Sequence, residues 1–260
     1  MTENISVAMA YKDRLAQLAY TLKTFAFYDF KGEIVICDDF SCDAQKPELL
    51  LTQFPQLDIK IVHQSKKFNN PCMAYNAAFS KCNRDILIIQ NPECCWIGNI
   101  ALYVQTHLTD KKYLTFSCLS IPEKESEIFR AEYDFKDFKY FNKSTWFNHS
   151  KLRRLGYHFC AALLKSNLDT FLGGGFDEQF ADGVCFDDDE FFYRVRKENF
   201  DVSFVDTPFV AHQWHPKSWL SSLENGSFDS LHTKNRMLWE STKKEYGLPT
   251  YNGRFPMPKN

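Results

Sequence analysis

The sequence predicts an α/β fold in which helices cover both faces of a central, mostly parallel β-sheet. Short apolar runs rich in β-forming residues alternate with helical segments through the first part of the chain. This alternation is typical of consecutive βαβ units, which build parallel sheets. Each apolar run ends in polar residues, and ligands of such sheets bind at the carboxyl ends of the strands. A binding site is therefore expected along that edge of the sheet.

The predicted elements follow from the spacing of apolar residues. Continuous apolar runs of strand length predict buried strands, at 5–11, 33–39, 58–64 and 84–93. Apolar residues at helical spacing predict amphipathic helices, at 14–28, 46–55 and 70–82. Pro71 fits the first turn of the last helix, because its missing N–H needs no partner there. Later in the chain, a helix at 189–200 and a strand within 201–214 are predicted.

Composition excludes several classes of protein. The chain of 260 residues has a formal net charge of −2 and no run of Lys and Arg, which argues against a nucleic-acid partner. It has no apolar stretch long enough to span a bilayer, and its N-terminus lacks the features of a signal peptide. The nine cysteines include no C-x-x-C pair, which disfavours a zinc ribbon. We therefore expect a reduced, cytoplasmic protein without a transmembrane segment.

Two common glycine-rich phosphate-binding motifs are absent from the sequence. Neither G-x-G-x-x-G nor G-x-x-x-x-G-K-S/T occurs. A bound phosphate group would therefore need a metal ion, Arg or Lys side chains, or a helix N-terminus to offset its charge.

Five segments occur in an order that resembles the family 2 glycosyltransferases of the GT-A fold. They are ISVAMAYKDR, EIVICDDFS, the helix that carries Asn76, DILIIQNPE and GGFDEQFADGVCFDDDEFFYRVRKENF. The resemblance covers roughly residues 5–215 and implies a Rossmann-like three-layer αβα sandwich. It implies a single domain over 1–215, with a nucleotide-binding half at about 1–100 and an acceptor half at 101–215. A C-terminal helical extension is expected at 216–260.

The resemblance places the donor nucleotide at the ends of the first strands. The residues that it implies as donor-binding are Tyr11, Arg14, Asp38, Asp39, Asn76, Gln90 and Asn91. Asp38 matches the family carboxylate that hydrogen-bonds the uracil or the ribose, and a carboxylate at a strand end suits such N–H and O–H donors. Asp38 and Asp39 could instead cap a helix or form a turn.

The turn after the fourth predicted strand departs from the family pattern. Where the family has D-x-D, which binds a divalent cation, this chain has N-x-E from Asn91 and Glu93. Hard cations take oxygen ligands, and both an amide carbonyl and a carboxylate provide one. The resemblance implies that His212 and His215 complete a site for Mn²⁺ or Mg²⁺. The alternative is that Asn91 and Pro92 only form a turn.

Four consecutive acidic residues, Asp187 to Glu190, stand at the start of a helical segment. The resemblance implies that Asp188 is the general base that deprotonates an acceptor hydroxyl, and neighbouring carboxylates would raise its pKa. The acceptor-binding residues expected near it are Trp146, His149, Gly174, Gly175, Asp187 and Asp189. His158 could also contact a hydroxyl or a phosphate group. The acids could instead only stabilise the helix N-terminus.

The resemblance implies a glycosyltransferase of the hexosyltransferase type. It would move a sugar from a nucleotide donor, a UDP-sugar in the first place, to a hydroxyl acceptor with inversion. A nucleotidyltransferase shares a similar βαβ half but would need a glycine-rich loop after the first strand, and AYKDRLAQ has no glycine. A sugar-nucleotide- or glycan-binding module without turnover stays open because of the N-x-E turn. Retention of configuration, the acceptor and the oligomeric state also stay open.

Overall fold

The computed structural model describes residues 2–132, 138, 143–217, 220–221 and 223–245. Its strands are β1 (Ile5–Tyr11), β2 (Glu33–Asp38), β3 (Asp58–His63), β4 (Ile86–Gln90), β5 (Cys94–Ile97), β6 (Lys112–Ser120), β7 (Thr145–Asn148), β8 (Cys160–Leu164) and β9 (Asp201–His212). Its α-helices are α1 (Leu15–Phe27), α2 (Cys72–Phe79), α3 (Ile100–His107), α4 (Glu123–Glu132), α5 (Lys165–Phe171), α6 (Asp187–Lys197) and α7 (Phe228–Glu245). Short 3₁₀ segments lie at Asp43–Gln45, Pro47–Gln53 and Glu178–Phe180.

These strands form one sheet in the order β3-β2-β1-β4-β8-β6-β9-β5, with β7 paired to β6. In the first half of the sheet, β1 lies between β2 and β4, and the β1–β2, β1–β4 and β2–β3 pairs are parallel. In the second half, β8 runs antiparallel to β4 and β6, β5 runs antiparallel to β9, and β6 and β9 are parallel. The parallel half confirms the predicted βαβ series.

The sheet has a hydrophobic core on each face. Successive side chains of a strand point to opposite faces, and β1 follows this rule. Val7 and Met9 belong to the core that contains the apolar residues of α1, whereas Ala8 packs on the other face with Phe79 of α2 and Phe191 of α6. Helices therefore cover both faces, which confirms the predicted three-layer α/β architecture.

Two segments differ from the sequence-based expectations. The helix predicted at 46–55 is a 3₁₀ segment, Pro47–Gln53, in which Leu50 is buried while Leu49 and Leu51 are exposed. Three consecutive leucines point in different directions, so this short segment has no continuous apolar face for an α-helix to bury. The strand predicted at 84–93 ends at Gln90, because Pro92 lacks the N–H that a continuing ladder would need.

Helix α6 begins with four acidic residues and ends with Arg194, Arg196 and Lys197. Negative charge at the N-terminus and positive charge at the C-terminus of a helix both oppose the helix dipole and stabilise the helix. Phe186 precedes the helix with a φ of 68°, in the left-handed region that few residues other than glycine adopt. The sequence around the acidic run therefore both favours the helix and turns the chain sharply into it.

Helix α7 forms part of the expected C-terminal extension. Its Trp239 packs against Phe180 and Tyr193. Asn235 donates hydrogen bonds to the carbonyl oxygens of Phe180 and Cys185, both at 3.0 Å. Helix α7 thereby supports the segment that leads into α6. Residues 218–219, 222 and 246–260 of the expected extension lie outside the described residues, and the division of 1–215 into two functional halves stays a prediction.

All nine cysteines are free thiols, and Cys42 and Cys185 are the two exposed ones. Helices that combine the length and the apolar character needed to cross a membrane are absent from the described part of the chain.

Candidate active site

A cleft of about 360 Å³ opens at the carboxyl ends of β1 and β4, on the edge where the sequence predicts a site. Predicted site residues from distant parts of the chain line it together. They are Tyr11, Arg14, Asp39, Asn91, Glu93, Asp187, Asp188, His212 and His215. These side chains come from the ends of β1 and β9, the turns after β2 and β4, and the first turn of α6.

The buried side chain of Gln213 joins three of these segments. Its Nε2 donates to the carbonyl oxygens of Gln17 in α1, at 3.0 Å, and of Glu93, at 3.1 Å. The hydroxyl of Thr21 in α1 donates to the carbonyl oxygen of Pro92 at 2.7 Å. Since Gln213 follows β9 directly, these bonds fix the end of β9, the turn after β4 and α1 relative to one another.

Glu93 is the centre of one wall of the cleft. Its side chain is only 2% exposed, and its two oxygens contact different partners. Oε2 lies 2.6 Å from Nη1 of Arg14, whereas Oε1 lies 3.1 Å from Nε2 of His212 and 3.7 Å from Nε2 of His215. A single buried carboxylate therefore has one guanidinium and two imidazoles around it.

These neighbours determine the ionisation of the group. Burial alone would raise the pKa of Glu93, but the positive charge of Arg14 and the contact with His212 outweigh it and hold this pKa well below its usual range. Burial, which the attraction of Glu93 only partly offsets, lowers the pKa of His215. The wall thus presents an ionised carboxylate beside an imidazole that favours its neutral, ligand-competent form.

Glu93, His212 and His215 have a donor set that can hold a divalent cation. One ligand atom from each lies within 4.8 Å of the others. Two imidazole nitrogens and one carboxylate oxygen leave coordination positions open, as in catalytic metal sites. The Nδ1 atom of His212 is buried and has no hydrogen-bond partner among the described residues, whereas its Nε2 faces Oε1 of Glu93.

Asn91 faces this group with its amide nitrogen. Its Nδ2 donates to Oε1 of Glu93 at 3.3 Å, while its Oδ1 accepts a hydrogen bond from the hydroxyl of Tyr75 at 2.8 Å. An amide nitrogen is not a metal ligand, and the oxygen is engaged elsewhere. In this arrangement the metal role expected for Asn91 has no geometric support, and its side chain instead positions Glu93.

The acidic run at the start of α6 forms the opposite part of the site. Asp187 is buried and accepts a hydrogen bond from Nδ2 of Asn70 at 2.8 Å. Burial, together with the charge of Asp188, raises the pKa of Asp187 to about 7. Burial also raises the pKa of Asp189 to about 6, although the hydroxyl of Tyr157 donates to this carboxylate at 2.8 Å. Two of the three aspartates therefore hold protons more tightly than exposed aspartates do.

Asp188 is the aspartate of this run that opens into the cleft with an imidazole partner. Its side chain is 35% exposed, and its Oδ1 lies 2.8 Å from Nδ1 of His158. His158 is buried, and burial would lower its pKa, but the charge of Asp188 raises it overall. The ring of His158 packs edge-on against Tyr75, with 5.0 Å between centroids. A carboxylate held in this way can accept a proton from a bound hydroxyl group.

Asp38 and Asp39 point into different spaces. Asp39 lines the cleft, and its Oδ2 lies 3.7 Å from Nζ of Lys12. Asp38 is buried, accepts the backbone N–H of Ser41 at 3.2 Å and lies 3.6 Å from Nδ1 of His63. It lines a second, shallow depression. The two carboxylates therefore cannot bind the same group of a ligand.

Two residues expected to bind the donor are used in internal hydrogen bonds instead. The side chain of Gln90 is buried, accepts the indole N–H of Trp96 at 2.7 Å and donates to the carbonyl oxygen of Cys94 at 2.7 Å. Asn76 exchanges two hydrogen bonds with the backbone of Phe176, at 2.8 and 2.9 Å. Neither residue lines the cleft. The polar groups of Gln90 hold the turn after β4, and those of Asn76 hold the segment that follows the loop Gly173–Gly175.

The loop Gly173–Gly175 needs glycine for its backbone conformation at Gly174 and for close packing at Gly175. Gly174 has a φ of 79°, and a Cβ added at Gly175 would lie 2.2 Å from Oδ1 of Asn76. Arg194 of α6 donates to the carbonyl oxygen of Gly175 at 2.9 Å. The two glycines expected to contact an acceptor therefore have a structural reason for their small size, and neither lines the cleft.

The other expected acceptor residues also lie outside the cleft lining. Trp146 packs against Phe209, with 5.5 Å between centroids, and against His149, with 4.7 Å. Nδ1 of His149 lies 3.8 Å from Oδ1 of Asp206. Asp189 stands behind the cleft wall and contacts Tyr157. The acceptor roles expected for these residues stay predictions.

Several residues of the cleft have only a weak signal in the sequence. Lys12, Tyr75 and Tyr157 line it beside His158. Lys12 directly follows the polar end of β1, which is a usable signal. The helical spacing around Tyr75 indicates only a buried position, and Tyr157 lies in a segment without periodicity.

Comparisons with known proteins place this geometry in a structural class. No family model matches the chain, and no curated protein matches it. S. aureus TarS 1-349 in complex with UDP-GlcNAc is similar with a TM-score of 0.61 and 14% identity, over 90% of this chain and 65% of that chain. The mannosyltransferase PcManGT from Pyrobaculum calidifontis, in complex with GDP-Man and Mn²⁺, gives a TM-score of 0.57 and 13% identity, over 84% of this chain and 59% of that one.

The chain thus spans less than two thirds of the length of these two structures, at 65% and 59%. The ordered motifs, the parallel half-sheet and the cleft at its carboxyl edge agree with these similarities. The chain therefore has the GT-A fold of nucleotide-sugar glycosyltransferases.

Proposed function

We propose that this protein is a glycosyltransferase that moves a sugar from a UDP-sugar donor to a hydroxyl acceptor. The observation that carries the proposal is that Glu93, with Arg14 beside it, and Asp188, with its imidazole partner, line one cleft. The first group suits a leaving diphosphate and the second suits the proton of an acceptor. UDP-GlcNAc and GDP-Man, bound in two structures of similar fold, support a nucleotide-sugar donor.

The donor would lie along the ends of β1, β2 and β4. Lys12 and Arg14 provide positive charge for the diphosphate, since charge-assisted hydrogen bonds to phosphate oxygens are the strong ones. Asp39 can accept hydrogen bonds from ribose hydroxyls. The hydroxyl of Tyr11 accepts the backbone N–H of Arg14 at 3.1 Å, so Tyr11 positions Arg14. Asp38 would hydrogen-bond the nucleobase of the donor in the adjoining depression.

Glu93, His212 and His215 would hold a divalent cation. Two of these three ligands are imidazole nitrogens, which favours Mn²⁺ over Mg²⁺. When bound, the cation offsets the charge that develops on the leaving diphosphate. Asn91 keeps Glu93 in place through its amide N–H.

Asp188 would act as the general base. It accepts the proton of the acceptor hydroxyl while that oxygen bonds to the anomeric carbon of the sugar. The bond from the anomeric carbon to the diphosphate oxygen breaks, and its electron pair leaves with the nucleoside diphosphate. Attack from the opposite face inverts the configuration. His158, 2.8 Å from Asp188, holds the carboxylate in orientation.

A binding module without turnover is the second candidate. The Arg14–Glu93 ion pair favours it, because this pair already neutralises the carboxylate of the N-x-E turn. Such a module would bind nucleotide sugars but would not release a nucleoside diphosphate from them.

Two measurements test the proposal. The first is a thermal-shift screen of nucleotide sugars with and without Mn²⁺, since a ligand that binds only the folded state raises the melting temperature. The second is release of UDP from the donor that this screen identifies. We expect Asp188→Asn to lower kcat by about 10²- to 10⁴-fold, the usual contribution of a general base, while the donor still raises the melting temperature.

The matched control is Asp169→Asn on the surface of α5. Asp169 is 51% exposed and pairs with Lys165, so this variant should release UDP at the rate of the unmodified chain. Equal rates for the Asp188 and Asp169 variants would contradict the assignment of the base. Donor binding without any release of UDP would favour the binding module.

A further inference from the structure

The positively charged group in contact with Glu93 is a side chain of the protein, the guanidinium of Arg14. Arg14 contacts Oε2 of Glu93 at 2.6 Å, and the imidazoles of His212 and His215 face Oε1. Arg14 is 22% exposed on its side chain, whereas Glu93 is 2% exposed. The guanidinium is therefore more exposed to the cleft than the carboxylate that it contacts.

A divalent ion among Glu93, His212 and His215 would have this guanidinium as its neighbour. Two positive groups would then share one negative charge at a buried position, where charges are screened poorly. The described ligand group contains one carboxylate, Glu93, because the turn has Asn91 where an aspartate would add a second. The repulsion between the ion and Arg14 is therefore offset by fewer negative charges.

The same cleft offers Arg14 another anionic partner. Arg14 and Lys12 both line it, at the position where the diphosphate of a donor is proposed to bind. A diphosphate there would attract the guanidinium away from Glu93 and would free Oε2 for a metal ion.

We propose that Arg14 and a divalent cation compete for Glu93, so that the cation binds tightly only after an anionic nucleotide has drawn Arg14 away. The competition itself depends on the ion pair alone. Only the identity of the anion rests on the proposed function.

The test is the affinity for Mn²⁺ of the protein without nucleotide, measured from the electron paramagnetic resonance signal of free Mn²⁺. Arg14→Gln removes the charge but keeps a hydrogen-bond donor for Glu93. We expect it to bind Mn²⁺ about tenfold more tightly than the unmodified chain, within the usual range of coupling between sites. Arg14→Lys keeps the charge and should stay near the unmodified affinity.

Lys12→Gln is the control for a general loss of positive charge in the cleft. Lys12 pairs with Asp39, at 3.7 Å, and not with Glu93, so this variant should change the Mn²⁺ affinity much less than Arg14→Gln. Equal gains in Lys12→Gln and Arg14→Gln would show an effect of net charge and would overturn the proposal. An unchanged or weaker affinity in folded Arg14→Gln would also overturn it.

Binding of UDP provides the second arm. UDP should tighten Mn²⁺ binding by the unmodified chain, and it should do so by a smaller factor in Arg14→Gln, because the competition is already removed. By linkage, Mn²⁺ must tighten UDP binding in each protein by the same factor by which UDP tightens Mn²⁺ binding there. An equal UDP effect in both proteins would contradict the transfer of Arg14 to the nucleotide.

A further measurement keeps the inference testable if Arg14→Gln does not fold. The guanidinium N–H signals of Arg14 can be followed by nuclear magnetic resonance in the unmodified chain, with Arg14→Lys to assign them. Saturating Zn²⁺, a diamagnetic ion, should shift these signals as the ion pair breaks. Unchanged signals in the Zn²⁺-saturated protein would overturn the proposal. None of the nucleotide-free measurements requires sugar transfer, so their outcome is separate from that of the proposed function.

Discussion

The two walls of the cleft, one around Glu93 and one at the start of α6, shift the pKa values of their carboxylates in opposite directions. Around Glu93, a guanidinium and two imidazoles surround one buried carboxylate and keep its pKa low. At the start of α6 there are three consecutive aspartates. Asp188 has the imidazole of His158 beside it, and the other two accept hydrogen bonds from the neutral side chains of Asn70 and Tyr157. Burial therefore raises the pKa of Asp187 to about 7 and that of Asp189 to about 6.

This difference separates two kinds of chemistry. A carboxylate that stays ionised beside a guanidinium and two imidazoles suits binding of metal ions and phosphate groups. At the start of α6, Asp187 and Asp189 hold protons up to near-neutral pH and flank Asp188, the proposed base. The neighbours of each carboxylate, rather than the number of acidic residues, distinguish the two walls.

The largest change in stability is expected at the wall around Glu93. Glu93→Gln removes the negative partner of Arg14 and of both imidazoles. Breaking a buried ion pair costs roughly 3–5 kcal/mol, and we expect the lower part of this range, about 3–4 kcal/mol, because Arg14 can turn toward the solvent of the cleft. Urea unfolding measures this loss. Thermal shift in the presence of UDP should also show that Mn²⁺ no longer adds to the melting temperature.

The control for this change is Glu224→Gln, which breaks a surface ion pair with Lys67 at 3.2 Å, where Glu224 is 46% exposed. Exposed pairs contribute roughly 0–1 kcal/mol, so this variant should unfold almost as the unmodified chain does. Equal losses for the two variants would contradict the difference between a buried and an exposed pair.

A smaller change in the free energy of unfolding is expected at the start of α6, and this change depends on pH. The pKa of Asp187 is raised to about 7 in the folded state, so its contribution to stability is fully present below the unfolded pKa of about 4. That contribution is lost as the pH rises through about 7. Between pH 5 and pH 8 the free energy of unfolding should therefore fall by about 2–3 kcal/mol from this group.

Asp187→Asn should remove this loss, because the amide does not ionise. Urea unfolding at pH 5 and pH 8 measures it, with Asp169→Asn as the surface control. If the variant lost as much stability over this interval as the unmodified chain, another group would be responsible.

The smallest effect is expected at Tyr157, which donates to Asp189. Tyr157→Phe leaves the ionised carboxylate without this donor, at a cost of about 1 kcal/mol at pH 8. The cost should be smaller at pH 5, below the pKa of about 6 of Asp189. Comparing the free energies of unfolding at the two pH values tests this, and an equal cost at both would place the effect in packing instead.

Periodicity was sufficient to predict the parallel half of the sheet. β1, β2 and β4 are short apolar runs bounded by polar residues, and consecutive strands of this kind pair locally through a helix. The second half depends on pairs between distant strands, such as β6 with β9. Local patterns contain no information about those pairs, and the bulge between Phe116 and Cys118 interrupts their register further.

The candidate site was predictable where residue type alone determines chemistry. Glu93, His212 and Asp188 were identified from ordered motifs, and all three line the cleft. Side-chain direction was not predictable. Asp38 and Asp39 are adjacent yet point into different spaces, because successive residues at a strand end alternate in direction.

Contacts between distant residues were also beyond the sequence. Arg14 and Glu93 are separated by 79 positions, and nothing in either segment indicates that they meet. The same holds for His158 and Asp188, whose contact depends on how α6 packs against the sheet near the start of β8.

The hydrogen bonds of Gln213 have a kinetic consequence for the cleft. They hold α1, the turn after β4 and the end of β9 as one rigid body. An exchange of partners at Glu93 then needs only a rotation about the side-chain bonds of Arg14, and rotamer changes of partly exposed side chains take picoseconds to nanoseconds. Within the part of the chain that the structure describes, this exchange of partners therefore needs no movement of α1 or of the turn after β4. Amide hydrogens around Gln213 should exchange with solvent only through rare, large-scale unfolding.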